Sequence, residues 1–402
     1  MTPNNSQPPH SPLLDHCPLA LEATAYYDSE WFRREQRGIW ARGWIYVGRV
    51  TDFPAQTLKR VTVADQNLFV ASDPAGHLRA FHNTCRHRGS ALCVAEEEPF
   101  NGKLIRCPYH AWAYNIEGGL VSTAFGTPTA DFDKLEHGLF AVALKVWNGF
   151  VFLCLRDNPP AFEPDLGASI LDNWPMDTLS TGHVLEKRLA CNWKVFWENY
   201  NECLHCPGVH PALSQRVPVY RQGIMAANEA AGWTPETPAQ AALQEGAVSW
   251  TVNGQSCGPE FPGLTAQERA QAHTFVTLYP SLYIVAHVDY VRAVTVVATG
   301  PEETVLRAQW LFAPETLNLP GFDLANVTDF ATQVMMEDGQ ACEINQQGLK
   351  SSKFIQGRLM PQEFDVHGFQ QWVVAALQEA EADSDADAQP GAAPQSSSPK
   401  PA

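Results

Sequence analysis

Two short segments combine cysteine and histidine at spacings that could hold a metal. Cys85 and His87 form the first pair, with one residue between them, and Cys107 and His110 form the second, with two residues between them. Two thiolates and two imidazoles suit a structural zinc ion. They equally suit an iron–sulfur cluster in which two histidines replace two cysteines on one iron. These four residue types therefore leave both kinds of metal site open.

A second group of candidate ligands lies further along the chain. Residues 192–205 contain no proline or glycine and predict a helix. On such a helix Asn199, Glu202 and His205 would be spaced three residues apart and would share one face. An amide, a carboxylate and an imidazole would then point in one direction.

A second histidine follows this predicted helix. Pro207 and Gly208 are expected to end the helix and to turn the chain so that His210 faces His205. Two histidines and one carboxylate form the facial triad of non-haem Fe(II) oxygenases, which leaves positions open for O₂ and substrate. The third ligand of such a triad must come from elsewhere in the chain.

Composition and charge exclude several classes of function. The formal net charge of −17 argues against nucleic acid or an anionic membrane as a partner. No lysine or arginine precedes Arg33, so a secretory signal is not expected, and Lys145 and Asn148 interrupt the longest apolar stretch. We therefore expect a cytoplasmic protein. Its 10 cysteines are expected to be buried small side chains or metal ligands in a reducing compartment.

The segments around the first site resemble a known family. HNTCRHRGSALC and CPYHAWAY resemble the two cluster loops of the Rieske family, although the spacer between them is slightly longer than that family has. The resemblance implies that Cys85, His87, Cys107 and His110 bind a Rieske [2Fe–2S] cluster that relays electrons. Cys93 is close to the first loop, and its expected role is that of a buried small side chain.

The segments around the second site extend the resemblance to Rieske non-haem iron oxygenases. WENYNECLHCPGVHP resembles the segment that supplies two iron histidines in that family, and MMEDGQACE resembles the one that supplies the carboxylate. The resemblance implies that His205, His210 and Asp338 hold a mononuclear Fe(II). Glu337 and Glu343 are predicted to lie on the same helix as Asp338 and stay open as alternative ligands.

The resemblance also implies how electrons reach the iron. Members of the family commonly form trimers in which the Rieske cluster of one subunit faces the iron of its neighbour. A carboxylate between them, usually Asp, contacts one histidine of each centre, and this sequence has Glu202 at that position. Glu202 and Asn199 are therefore the expected catalytic residues. A separate NAD(P)H-dependent reductase with flavin or iron–sulfur groups is expected, because the chain has no dinucleotide-binding motif.

The order of predicted elements gives an α+β fold. We expect a disordered N-terminus (residues 1–13), then a helix capped by Asp28 and an antiparallel β Rieske domain (residues 14–158). A catalytic domain (residues 159–378) should contain an antiparallel sheet of four strands between residues 273 and 312, covered by helices that include residues 322–349. The acidic and then Pro/Ser-rich tail (residues 379–402) is expected to be disordered.

The expected function is hydroxylation of a small organic substrate with O₂ and reductase-delivered electrons. WENYNECLHCPGVHP, with Glu at the bridging position, resembles the betaine, carnitine and stachydrine demethylases more than the aromatic-ring dioxygenases. This resemblance implies oxidative N-demethylation of a quaternary ammonium compound. The alternative is hydroxylation or dihydroxylation of an aromatic ring or aromatic acid. An alternative of another class is a Rieske electron carrier, although a carrier needs no second metal site. Aromatic residues expected either to wall the pocket or to belong to the sheet core are Trp250, Tyr279, Tyr283, Tyr290 and Trp310.

Overall fold

The computed structural model describes residues 11–101, 103–162, 168–236 and 242–388. The strands in chain order are β1 (Leu19–Glu22), β2 (Ile45–Arg49), β3 (Thr57–Val63), β4 (Gln66–Ser72), β5 (Leu78–His82), β6 (Glu97–Pro99), β7 (Ile105–Arg106), β8 (Ala113–Tyr114), β9 (Leu120–Ser122), β10 (Ala141–Trp147), β11 (Phe150–Cys154), β12 (Ser180–Leu189), β13 (His273–Leu278), β14 (Leu282–His287), β15 (Val291–Gly300), β16 (Glu303–Phe312) and β17 (Gln356–Arg358).

The helices alternate with these strands mainly in the second half of the chain. In chain order they are α1 (Ser29–Glu35), α2 (Trp193–Tyr200), α3 (Cys206–Val209), α4 (Pro211–Arg216), α5 (Ala266–Gln271), α6 (Pro314–Leu317), α7 (Leu324–Leu349) and α8 (Phe364–Ala388). A π-helical turn, Gln36–Trp40, continues α1. The predicted α+β class is confirmed.

The N-terminal half is an antiparallel β structure. A seven-stranded sheet has the order β2-β11-β10-β5-β4-β3-β6, and a three-stranded sheet has the order β7-β8-β9. The helix predicted before it is present. The Asp28 carboxylate caps α1 by accepting the N–H groups of Glu30 and Trp31. The two cysteine-histidine loops leave strands of these sheets, so the β structure holds them in fixed positions.

The second half contains a five-stranded antiparallel sheet in the order β12-β16-β15-β14-β13. The four strands predicted between residues 273 and 312 are all present, and β12 is an additional edge strand that the sequence analysis missed. The two faces of the sheet pack differently because side chains alternate along a strand. Tyr283 and Val285 face the side of α2 and α7, whereas Leu282 and Ile284 pack with aromatic residues of β2 and β11.

A buried polar group ties α1 to α2. The side chains of Lys194 and Glu35 form a fully buried ion pair, and the Trp193 Nε1–H donates to Glu35 over 2.8 Å. A buried charge is tolerated only when it is paired and hydrogen-bonded, and Glu35 meets both conditions. This contact fixes the N-terminal end of α2, whose C-terminal end leads to the second candidate metal site.

The acidic segment after residue 378 does not match its prediction. Helix α8 continues to Ala388, so the expected disorder is wrong for residues 379–388. Acidic side chains of this segment pair with arginines elsewhere in the chain: Glu381 with Arg34, and Asp383 with Arg42. These pairs stabilise a helix that composition alone does not indicate. Residues 1–10 and 389–402 lie outside the described part.

The domain boundary expected near residue 158 stays a prediction. Apolar side chains from both halves, such as Val70 and Val151 with Trp193 and Val294, pack in one continuous core. Among the helices of the described residues, none has the length and apolar character needed to cross a membrane.

Candidate metal centres

The two cysteine-histidine loops have the same backbone pattern. The first loop joins β5 to β6, and the second joins β7 to β8. In the first, the Cys85 N–H donates to the Ser90 carbonyl oxygen over 2.8 Å; in the second, the Cys107 N–H donates to the Trp112 carbonyl oxygen over 2.8 Å. Each loop is thus closed by a hydrogen bond that starts at its cysteine, and this bond holds the cysteine backbone in place.

The four predicted cluster ligands form two neighbouring pairs, one of the two cysteines and one of the two histidines. Cys85 and Cys107 are buried neighbours, whereas His87 is exposed and His110 is half-buried. The imidazole rings of His87 and His110 are 4.7 Å apart between centroids, and Trp112 stacks on His87 at 4.7 Å. Two inner thiols and two outer imidazoles fit a [2Fe–2S] cluster with one cysteine-bound iron and one histidine-bound iron.

The surroundings of Cys85 indicate that it needs a metal to ionise. Burial raises the pKa of the Cys85 thiol, and the neighbouring Cys107 raises it further. The Tyr114 hydroxyl lies 3.1 Å from the Cys85 Sγ and lowers this pKa by hydrogen bonding. A thiol with a raised pKa keeps its proton at neutral pH until a metal replaces it.

We predict that Cys85→Ala abolishes the visible absorption bands of the Rieske cluster and the low-field-shifted EPR signal of the reduced protein. The reason is that one of two inner thiolate ligands is lost. Cys93→Ala is the matched control, because Cys93 is also buried but its Sγ contacts two backbone carbonyl oxygens, that of Leu58 at 3.6 Å and that of Ala95 at 3.5 Å. Normal spectra in Cys85→Ala would contradict the assignment.

Helix α2 ends before the second site, and the expected shared helical face is wrong. The helix stops at Tyr200, so Asn199 is on it but Glu202 and His205 are not. The Glu202 carboxylate accepts the backbone N–H groups of Leu204 and His205, the latter over 3.3 Å. Such side-chain bonds to nearby backbone compete with helical hydrogen bonds, which explains why the chain leaves the helix here.

The roles expected for Pro207 and Gly208 are also wrong. Both lie inside the short helix α3, and Pro207 is in its first turn, where its missing N–H costs no hydrogen bond. The chain turns instead at His210, the non-helical residue between α3 and α4. This turn directs the His210 ring towards His205, and the two ring centroids are 5.1 Å apart.

His205, His210 and Asp338 converge on one point. The Asp338 Oδ1 lies 2.8 Å from the His210 Nε2 and 3.4 Å from the His205 Nε2. One ligand atom from each residue lies within 4.8 Å of the others. Two imidazole nitrogens and one carboxylate oxygen arranged in this way fit the donor set of a mononuclear non-haem iron.

A small residue beside Asp338 allows this approach. A Cβ atom on Gly339 would lie 2.7 Å from the Cδ2 of Leu189, a buried residue at the end of β12. Glycine therefore lets α7 pack closely on the sheet, and this packing places Asp338 opposite the two histidines.

Each of the two histidines has a second carboxylate behind it. The His205 Nδ1–H donates to Glu202 over 2.5 Å, and the His210 Nδ1–H donates to Glu337 over 2.7 Å. Such partners orient a metal-binding imidazole and fix which nitrogen faces the metal. Glu337 therefore lies on the far side of His210 from Asp338, a position that fits an orienting partner and not an alternative iron ligand.

The charges of the site are mutually compensating. Burial lowers the pKa of His205, but its hydrogen bonds to Asp338 and Glu202 outweigh burial and raise the pKa to about 9. Burial would raise the pKa of Asp338, but hydrogen bonds from both histidines hold it below its usual range. A metal that binds here must displace a proton from the imidazoles, so metal affinity falls as the pH falls.

The other predicted residues lie at different distances from this centre. The Asn199 Nδ2 lies 3.5 Å from the His205 Nε2, so its amide borders the point where the ligands meet. Glu343 accepts the backbone N–H of Ala190 over 3.0 Å, a contact that holds α7 against the end of β12. The structure thus brings Asn199 to the site and leaves Glu343 outside it.

Two cysteines beside the iron site form a bond that the sequence analysis did not predict. Cys203 and Cys206 are joined by a disulfide that encloses His205 in a loop. The expectation that every cysteine is a buried small side chain or a metal ligand is therefore wrong for this pair. The other 8 cysteines are free. The Cys-x-x-Cys spacing of Cys203 and Cys206 is the sequence feature that could have indicated this disulfide.

The five aromatic residues expected at the pocket divide into two groups. Tyr279 accepts a hydrogen bond from Asn201, and its ring packs on α8; Trp310 is fully buried beside β12. Of the other three, Tyr283 packs on Tyr200 at the end of α2, and Trp250 and Tyr290 both contact His287. Their ring contacts include Tyr200–Tyr283 at 4.2 Å, Trp250–His287 at 5.3 Å and His287–Tyr290 at 4.3 Å.

Comparison with protein families identifies two domains in the chain. Residues 43–133 match the Rieske [2Fe-2S] domain, and residues 173–379 match the ring hydroxylating alpha subunit, catalytic domain. The second match covers just over half of the chain. The chain belongs to this family. It is the oxygenase component of a Rieske non-haem iron oxygenase, an enzyme with a [2Fe–2S] cluster and a mononuclear iron, as the resemblance of its motifs implies.

Several relatives of this Rieske oxygenase are monooxygenase oxygenase subunits. It is 27% identical over 391 residues to the glycine betaine monooxygenase oxygenase subunit of Pseudomonas aeruginosa, covering 89% of both chains. It is 33% identical over 207 residues to the carnitine monooxygenase oxygenase subunit of Escherichia coli, covering 50% of this chain and 54% of that one. The fold is similar to that of the quaternary ammonium Rieske monooxygenase CntA in complex with an inhibitor, with a TM-score of 0.67. The two sequences are 20% identical, and the match covers 90% of this chain and 96% of that one.

Proposed function

We propose that this Rieske oxygenase removes an N-methyl group from a quaternary ammonium compound. The observation that carries the proposal is the similarity to a glycine betaine monooxygenase oxygenase subunit along 89% of both chains. The aromatic rings beside the second metal centre support it, because ring faces attract a quaternary ammonium cation. Hydroxylation of an aromatic acid is the second candidate, since the paired rings of Tyr200 and Tyr283 could also hold a flat substrate.

In this proposal the two sets of ligands have separate tasks. Cys85, His87, Cys107 and His110 hold the [2Fe–2S] cluster, and His205, His210 and Asp338 hold the mononuclear iron. When bound, these groups supply electron transfer and O₂ activation. Glu202 and Glu337 orient the iron histidines through their Nδ1 atoms, and Asn199 borders the side of the iron site nearest α2.

The proposed reaction hydroxylates an N-methyl carbon. O₂, two electrons and two protons convert one methyl group into a hydroxymethyl group and release one water. The resulting carbinolamine then breaks its C–N bond, releasing formaldehyde and one proton and leaving a tertiary amine. The electrons come from NAD(P)H through a separate reductase. This need for NAD(P)H supports the cytoplasm as the location.

We further propose that the subunits form a cyclic homotrimer in which one subunit's cluster reduces the neighbour's iron through Glu202. Large apolar side chains are exposed in the N-terminal half, namely Tyr109, Phe125 and Leu135, and next in sequence to iron-site residues, namely Leu204 and Met336. Exposed apolar side chains in both halves of the chain support contacts between subunits. A closed ring would then complete every site.

Mixing two inactive variants tests this arrangement. Cys85→Ala should lack the cluster and Asp338→Ala should lack the mononuclear iron, so each is expected to be inactive alone. After the two are co-expressed with different affinity tags and mixed complexes are purified, turnover should return, because an intact cluster then faces an intact iron across a subunit interface. Inactive mixed complexes, or an active wild-type monomer by light scattering, would contradict the proposal.

The substrate proposal is tested by following formaldehyde. The protein, reconstituted with iron and cluster, is combined with a surrogate reductase and NADH, and supplied separately with glycine betaine, carnitine, proline betaine, choline and benzoate. We expect formaldehyde in stoichiometric amounts with O₂ consumed for at least one quaternary ammonium compound. Hydroxylation of benzoate without formaldehyde from any quaternary ammonium compound would favour the aromatic alternative.

A further inference from the structure

A buried arginine lies on the sheet face that packs towards the iron site. Arg292 on β15 pairs with Val285 on β14, and Val285 pairs with Phe275 on β13. Paired residues of neighbouring strands share a face, so Arg292 is on the same side as Tyr283 and Val294. Val285 and Val294 belong to the core that includes α2 and α7. The guanidinium group thus lies in the layer between the sheet and the helices.

This guanidinium has no partner within the described part of the chain. Arg292 is only 6% exposed, its Nε has no hydrogen-bond acceptor, and no carboxylate pairs with it. Asp289, the acid closest in sequence, instead accepts hydrogen bonds from the Ser249 hydroxyl and the Cys257 N–H. A buried charge without a counter-charge is strongly unfavourable, so its presence points to an anion that binds beside it.

Three other buried polar atoms of this region also have no hydrogen-bond partner among the described residues. They are the Trp250 Nε1, the His273 Nδ1 and the His287 Nδ1. The Trp250 ring lies 4.8 Å from the His273 ring and 5.3 Å from the His287 ring. Burial lowers the pKa of His273 to about 4 and also lowers the pKa of His287, with Arg292 contributing to the latter. Both imidazoles are therefore neutral at pH 7, and Arg292 supplies the positive charge of the group.

This polar group adjoins the iron site through Tyr283. Burial raises the pKa of Tyr283, the Arg292 charge lowers it, and the Asp338 carboxylate raises it, so Tyr283 lies within electrostatic reach of both. The ring of Tyr200, the residue after Asn199, packs on Tyr283 at 4.2 Å. A substrate beside these two rings could therefore contact Arg292 at one end and present its other end to the iron ligands.

We propose that Arg292 binds the carboxylate of the substrate, with Trp250 and His287 as neighbouring hydrogen-bond groups. The proposal rests on the proposed function and narrows it: the substrate is a betaine, which carries a carboxylate and a quaternary ammonium group, and not an amino alcohol. A planar guanidinium matches a carboxylate with two parallel hydrogen bonds. The carboxylate neutralises the buried charge, and the rings of Tyr200 and Tyr283 face the cation.

A matched pair of ligands tests the proposal without any mutation. Glycine betaine and choline have the same trimethylammonium group. Glycine betaine carries a carboxylate where choline carries a hydroxymethyl group. Isothermal titration of the anaerobic holoenzyme should show glycine betaine binding at least about 100-fold more tightly than choline, because a site that hydrogen-bonds a polar group rejects the analogue without it. Equal affinities would overturn the proposal.

Variants then assign the preference to one residue. Arg292→Met should raise the Kd and KM for glycine betaine at least about 100-fold and change those for choline less than about threefold, and Arg292→Lys should restore part of the loss. Arg188→Met is the control, because Arg188 lies exposed on β12 of the same sheet, paired with Glu303. An equal rise in Kd for glycine betaine and choline in Arg292→Met, with the cluster spectrum and the unfolding temperature unchanged, would overturn the assignment.

A second pair of compounds, benzoate and benzyl alcohol, tests the role of Arg292 independently of the proposed N-demethylation. If no quaternary ammonium compound releases formaldehyde, benzoate and benzyl alcohol are compared in the same variants. A benzoate preference that Arg292→Met abolishes would support the role of Arg292 and reject N-demethylation. Equal use of benzoate and benzyl alcohol by the wild-type protein would reject the role of Arg292 as well.

Discussion

Asp338→Ala is expected to bring the mononuclear iron content close to zero and to abolish turnover, while the Rieske cluster keeps its spectrum. Asp338 supplies the oxygen that lies 2.8 Å from the His210 Nε2 and 3.4 Å from the His205 Nε2. Without it two imidazoles remain, which is one ligand fewer than the facial triad requires. Iron analysis by plasma emission, combined with the EPR spectrum of the reduced cluster, counts the two centres separately.

The two acids that compete with Asp338 in sequence serve as controls. Glu343→Ala should keep the mononuclear iron, because the Glu343 carboxylate bonds the backbone of Ala190. Glu337→Ala should weaken iron binding by about 10- to 100-fold without abolishing it, as expected for a group that orients a ligand. Loss of iron in Glu343→Ala with normal iron in Asp338→Ala would show that the carboxylate ligand has been misassigned.

The elements with regular patterns could be predicted from sequence. β14, β15 and β16 have long apolar and β-branched runs, and the structure has all three within the predicted range of residues 273–312. Strand β12 (Ser180–Leu189) was missed because it lies at the edge of the sheet and alternates partly exposed polar residues with few buried ones. An edge strand of this kind has little of the apolar signal on which strand prediction depends.

The local path around the iron site could not be predicted from residue spacing. Spacing placed Glu202 on a helix, but its carboxylate bonds the backbone N–H groups of Leu204 and His205 and the helix ends. The choice between these two outcomes depends on side-chain hydrogen bonds, which periodicity does not describe. The position of Glu337 behind His210 depends on how α7 packs on the sheet. The sequence shows Arg292 as a charged residue inside an apolar strand. Only the structure shows that no carboxylate among the described residues pairs with it.

The last prediction separates two carboxylates that have the same local contact. Glu202 and Glu337 each accept the Nδ1–H of one iron histidine, at 2.5 Å and 2.7 Å. The family resemblance implies that only Glu202 also meets a cluster histidine of the neighbouring subunit. Glutamine in either position keeps the shape and an acceptor oxygen but loses the negative charge. The two variants should therefore differ in electron transfer, although both perturb one iron histidine.

Glu202→Gln should bind cluster and iron nearly normally at saturating Fe(II), while turnover falls by orders of magnitude. Glu337→Gln should lose about 10- to 100-fold in iron affinity and recover most of its turnover when Fe(II) is saturating. Stopped-flow absorption measures electron transfer from the cluster to the iron directly, when protein with a reduced cluster is mixed with substrate and O₂. Oxidation of the cluster should be slow in Glu202→Gln. It should be near the wild-type rate in iron-loaded Glu337→Gln. Equal rates in the two variants would remove Glu202 from the electron pathway and leave it the same orienting role as Glu337.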